Sequence, residues 1–149
     1  MAIKSQKSYM AKTKDLAPQW HLMDAAERPL GRMAAEISRI LQGKHKPTFT
    51  PHMMTGDFVV VVNAANTKVT GNKMAQEQYH SHSGYPGGIK SPTMDRVMAK
   101  DPTVVVYRAV KGMLPKNAMG DRLLKRLHVY AGKEHPHQAQ LGGKVPEKS

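Results

Sequence analysis

Between Gly56-Asp57 and Asn63 the chain runs Phe58-Val59-Val60-Val61-Val62, an apolar and mostly β-branched stretch with no polar residue alternating along it. β-branched side chains fit a pleated backbone, and a strand with one wet face would show alternation. The run therefore predicts a strand covered on both faces, as in parallel sheets. Upstream, Trp20 to Ala25 reads as another strand, and Leu30, Met33, Ala34, Ile37, Ile40 and Leu41 recur at helical spacing. Pro29 suits the start of that helix and Gly43-Lys44 its end. Strand, helix and buried strand make a right-handed βαβ unit, so the expected class is α/β, with helices on both sides of the sheet.

The remainder is read in shorter pieces. Lys68 to Thr70 could add a short strand before Gly71-Asn72, while Met74 to His82 is too polar to classify. A Gly-rich loop follows at Gly84 to Gly88. Ser91-Pro92 looks like a cap with Pro at the first helical position, ahead of a short helix carrying Met94, Val97 and Met98. Asp101-Pro102 repeats that signal, but Thr103 to Tyr107 has strand composition. The spacing of Val106, Val110, Met113 and Leu114 favours helix, with Pro115 as its stop. Leu123 and Leu124 suggest a further helical turn, and Leu127 to Tyr130 a last strand. The organisation expected is a basic extension over residues 1–18, a core over 19–132 and a tail over 133–149.

The 149 residues suit one domain and can bury a sizeable core. Cysteine is absent, which removes disulfides, thiolate metal sites and thiol nucleophiles, and fits a reducing, cytoplasmic setting. The longest purely apolar run is far shorter than the roughly 20 residues that cross a bilayer. No membrane partner is expected. The segment from Met1 to Lys14 has four Lys and no acid, and lacks the apolar stretch of a secretory signal and the Arg of a transit peptide.

Charge is the informative quantity. The chain has 23 Lys and Arg against 11 Asp and Glu, a formal charge of +12. Self-repulsion at that density opposes compaction unless a polyanion supplies counter-charge. Enzyme readings find little support: neither G-x-G-x-x-G after the first strand nor G-x-x-x-x-G-K-[ST] occurs, and no G-x-S-x-G elbow does. The acids are scattered, and Asp24, Asp95, Asp101 and Asp121 read as turn or cap residues. The pairs His80 and His82, and His135 and His137, invite a metal, but spacing alone does not make a zinc site where Cys is missing. His21 and His128 read as core-edge residues. No catalytic group, metal, cofactor or small-molecule substrate is expected.

Basic residues gather instead where a polyanion could lie: Lys4, Lys7, Lys12 and Lys14 near the start, then Lys44 and Lys46 after the first helix. A third group holds Arg108, Lys111, Lys116, Arg122, Lys125, Arg126 and Lys133. Phe, Trp and Tyr are too few and scattered for a base-stacking platform, so phosphate and shape recognition of folded RNA is preferred to reading of a DNA site. A nucleotide-dependent enzyme and a general nucleic-acid or membrane-surface binder remain the alternatives.

Several blocks then fall in a recognisable order: Leu30-Gly31-Arg32, Gly43-Lys44, Gly56-Asp57 and Val69-Thr70-Gly71-Asn72-Lys73. They continue with His82-Ser83-Gly84-Tyr85-Pro86-Gly87-Gly88, Ala109 through Asn117, Val129-Tyr130-Ala131-Gly132, His135-Pro136-His137 and Ala139-Gln140. Over Trp20 to Gln140 the chain resembles the bacterial-type large-subunit ribosomal proteins numbered thirteen in the universal nomenclature. The resemblance implies a three-layer α/β/α fold with a four-stranded, mostly parallel sheet and basic tails. It implies binding to large-subunit rRNA beside neighbouring ribosomal proteins, an early role in subunit assembly, residence in a cytoplasmic or organellar ribosome, and no enzymatic role. Carried over by residue, RNA would meet Lys73, the loop with His82, Ser83, Tyr85 and nearby Lys90, the segment with Lys111, Lys116 and Asn117, and the tail with His135 and His137. The Lys-rich extension before Trp20 and Met53, Met54 and Met74 depart from the family pattern.

Overall fold

The computed structural model describes residues 8–142. Its core elements are β1 (Trp20–Asp24), α1 (Leu30–Gln42) and β2 (Phe58–Val62). A short α2 (Lys73–Gln76) and a hairpin of β3 (Ser81–His82) and β4 (Ile89–Lys90) follow. The chain then forms α3 (Met94–Lys100), α4 (Pro102–Met113), α5 (Ala118–Leu124) and β5 (Leu127–Val129).

The Phe58–Val62 run is the central strand. The parallel sheet has the order β1-β2-β5, with Trp20 opposite Phe58 and Val59 opposite Leu127. Val59 to Val62 are wholly buried, so both faces are covered as their composition requires. Val59 and Val61 face Met33, Ala34, Ile37 and Leu41 of α1, Val106 and Val110 of α4, and Leu123 and Leu124 of α5. Val60 and Val62 face Leu141, with Trp20, Leu22 and Tyr130 packed beside it.

Two expectations are corrected here. Among the described residues, the helices packed on the sheet occupy one face and not both, so the expected second helical layer is not seen there. The order β1-β2-β5 never reverses direction, and right-handed crossovers that step the same way across a sheet leave their helices on one side. The opposite face is closed by the segment around Leu141, which belongs to the predicted tail. Among the described residues the sheet also has three strands where four were expected. Lys68 makes only an isolated parallel bridge to Pro29, with the Leu30 N–H donating to the Lys68 carbonyl at 2.9 Å. Pro29 has no N–H and α1 begins at the next residue, so no ladder can extend from that point.

The helix boundaries follow local chemistry. Gly43 ends α1 in the left-handed conformation, φ 80°. Asp101 accepts the Thr103 N–H at 2.9 Å, and Pro102 opens α4, so cap and buried Val105, Val106 and Val110 override the strand propensity of this stretch. The helix after Ser91-Pro92 starts later than its cap signal suggests, at Met94. The Pro92 carbonyl accepts the Tyr79 N–H at 2.9 Å, and Thr93 bridges to Gln78, which holds this stretch extended against residues 78–79.

The turn into β2 passes so close to α1 that a Cβ on Gly56 would lie 1.7 Å from the Leu41 carbonyl oxygen and 2.5 Å from its carbon. Both are backbone atoms and cannot rotate away. Gly56→Ala is therefore expected to destabilise the fold by the 1–3 kcal/mol or more typical of overpacking. A urea unfolding midpoint equal to that of the parent would contradict this reading.

Candidate functional site

Charge pairing across the surface is sparse. Of the nineteen Lys and Arg among the described residues, only Arg28, with Glu36, and Lys46, with Asp57, stand in ion pairs. Lys12, Lys14, Lys44, Lys73, Lys90, Lys111, Lys116, Arg122, Lys125 and Lys133 are exposed. Lys4 and Lys7 lie outside the described residues. Exposed side chains with no counter-ion leave a cationic field that a polyanion can occupy.

Two concentrations stand out. Arg108, Lys111, Lys116 and Asn117 line a cavity of about 650 Å³ where α4 turns into α5. Asn117 also has a structural duty, since its Oδ1 accepts the Gly120 N–H at 2.9 Å and caps α5. On the other side of α4, Lys73, Arg108 and Gly112 share a groove of about 540 Å³ with Gly31 and Thr70. The Arg108 guanidinium sits 5.1 Å over the Tyr79 ring, which holds this cation between the two depressions.

The second concentration is the β3–β4 hairpin, which carries exposed His82, Ser83 and Tyr85 at and near its tip and exposed Lys90 in β4. Gly84 and Gly87, at φ 89° and 70°, allow the turn, and the Gly84 N–H donates to His82 Nδ1 at 2.9 Å. Tyr85 and Ile89 are 76% and 63% exposed, so the hairpin presents apolar as well as polar groups.

Other residues read from sequence as binding groups turn inward. Lys46 donates from Nζ to Asp57 Oδ1 and to the Ala17 carbonyl. Arg126 donates to the Gly56 carbonyl and lies 5.1 Å over the Phe58 ring. Burial pulls its guanidinium below the usual range, against the opposing influence of Asp57. His137 meets the Tyr130 hydroxyl at 2.9 Å and lies tilted against His128 and Trp20, with ring centroids 4.5 and 5.0 Å away. His135 is half-buried beside Tyr130. These His and Trp rings cover the helix-free sheet face, and burial followed by the neighbouring His137 lowers the His128 pKa.

Sequence spacing missed one cluster entirely. Asp57, fully buried before β2, accepts the Gln19 N–H, the Lys46 ammonium, and both His21 Nε2 and His45 Nε2, each imidazole at 2.9 Å from Oδ2. Burial raises the pKa of this carboxyl, but Lys46, the Gln19 amide and His21 together outweigh it and hold it below the usual carboxylate range. His21 and His45 are 24 positions apart, so only the β1–β2 register and the turn after Gly43 bring them together.

A small α/β protein whose Lys and Arg, among the described residues, are mostly unpaired presents a surface suited to a polyanion. Comparison with known proteins makes this specific. The Ribosomal protein L13 family matches residues 18–136. A Large ribosomal subunit protein uL13 of Syntrophus aciditrophicus is 53% identical over 94% of this chain and 99% of its own length. Its counterparts from Thermosynechococcus vestitus and Thermobifida fusca are 59% and 51% identical, over 85% and 90% of this chain and 83% and 90% of theirs. The chain belongs to the Ribosomal protein L13 family, which is one of structural ribosomal proteins and not of enzymes.

Proposed function

We propose that the chain is a structural constituent of the large ribosomal subunit, where it binds large-subunit rRNA, touches neighbouring ribosomal proteins and acts early in assembly. The observation that carries this reading is the surplus of exposed, unpaired cations on a rigid α/β body. The names of the relatives, Large ribosomal subunit protein uL13, supply the particle. The α4–α5 turn with Lys111 and Lys116, the groove with Lys73 and the hairpin at His82 to Lys90 would each meet a stretch of sugar-phosphate backbone. Holding several such stretches against one sheet fixes their mutual arrangement. The basic residues of 1–18 and 133–149 would add further phosphate contacts.

Changing Lys111 and Lys116 together to Gln tests this directly, because both are exposed and neither supports the fold. Binding to purified large-subunit rRNA should weaken, and the slope of log affinity against log salt should fall by nearly 2, about 0.9 for each phosphate no longer neutralised. An unchanged slope in a filter-binding series would remove these lysines from the interface.

A further inference from the structure

We propose that His21, His45 and Asp57 form a site for a late first-row divalent cation, Zn2+ in the first instance. Their donor atoms lie within 4.8 Å of one another. Both Nε2 atoms stand 2.9 Å from the same carboxylate oxygen, Oδ2, while Lys46 and the Gln19 N–H occupy Oδ1. Adjacent ligands around a four-coordinate ion with bonds of about 2.0–2.1 Å lie roughly 3.3–3.4 Å apart, so each Nε2 needs to draw back from Oδ2 by only about half an ångström to admit one. The rings meet nearly edge to face, at 86°, and both Nε2 atoms reach the one oxygen, Oδ2.

Protonation states fit as well. A metal needs neutral imidazole and ionised carboxylate. Lys46 and the Gln19 N–H both donate to Asp57 Oδ1, as to a carboxylate, and neither histidine has an Nδ1 partner among the described residues. Each Nε2 can therefore give up its proton while Nδ1 takes one from water, leaving a neutral ring and no net proton change. The ion replaces two N–H···O bonds with two metal–nitrogen bonds and one metal–oxygen bond.

The scaffold is rigid where ligands must be. His21 sits within β1, Asp57 donates its own N–H to the Ile40 carbonyl at 3.2 Å, and His45 follows the left-handed Gly43 that ends α1. Asp57 is wholly buried, while the His21 and His45 side chains are 33% and 29% exposed. Three protein ligands leave the fourth position of a tetrahedral ion open. Imidazole with carboxylate selects zinc and its neighbours over calcium or magnesium.

Calorimetric titration of the full-length, RNA-free protein with Zn2+ tests this. One equivalent should bind, and His45→Gln should weaken it by more than ~100-fold, beyond what loss of an outer-shell partner costs. A Gln amide can still donate to Asp57 but is a poor zinc ligand, so this variant should melt near the parent without metal while losing the Zn2+-induced rise in Tm. His21→Ala should also lose the ion, whereas His80→Ala and His135→Ala should bind as the parent does. The proposal is overturned if the parent takes up no Zn2+, if His45→Gln binds it like the parent, or if the control variants abolish binding.

Discussion

Replacing Asp57 by Ala is expected to cost about 3–5 kcal/mol, a large part of the ~5–15 kcal/mol that holds an ordinary domain together. The carboxylate is wholly buried and accepts four donors, from Gln19, His21, His45 and Lys46. Removing it strands a largely buried ammonium and leaves the Gln19 amide, just before β1, without its acceptor. Urea unfolding should show a much lower midpoint, and a loss under 1 kcal/mol would mean that water readily replaces the carboxylate. Acid should act on the same group. The pKa of Asp57 is lowered on folding, so its stabilisation is complete above the ordinary carboxylate range and is lost as pH falls through the lowered folded value. His128 adds to this from the other face of the sheet. Its folded pKa also lies below the ordinary value, so the unfolded chain takes up the proton first and stability declines once pH drops beneath the usual histidine range.

Raising salt from about 50 to 200 mM should weaken binding to large-subunit rRNA roughly a thousandfold if about six phosphates are neutralised. The number of exposed cations without acidic partners makes six a modest figure: Lys73, Lys90, Lys111, Lys116, Arg122 and Lys125 alone would reach it. A binding curve that is flat across this range would show that the cations face solvent and not phosphate. Lys46 and Arg126 should contribute little to the slope, because their charged ends are committed to Asp57 and to the Gly56 carbonyl. Their removal would appear in stability instead.

The elements legible in the sequence are those in which one local signal dominates. Phe58–Val62 is a buried central strand because nothing polar interrupts it, and α1 ends at Gly43 because a left-handed residue is needed there. In α4 a cap and a spacing agree against propensity, and together they decide it. What covers the second sheet face was not legible, since Leu141 and His137 lie in a segment rich in Gly, Pro and charge, with no periodicity to mark burial. The Asp57 cluster was hidden for a related reason: its members come from β1, the turn after α1 and the approach to β2. Lys46 and Arg126 show the limit of reading charge by position, because a cation near a binding block can equally be an internal hydrogen-bond donor.

Closure of the helix-free face by the segment around Leu141 sets an order of events on the translating ribosome. Ribosomes release chains N-terminus first, so β1, α1 and β2 leave the exit tunnel well before residues 133–142. Until then Val60 and Val62 lack Leu141 on that side and are only flanked by Trp20 and Leu22 of β1. A chain in which β5 has docked but residues 133–142 have not therefore has one face packed by helices and an apolar strip still open on the other, the kind of surface that invites misassembly.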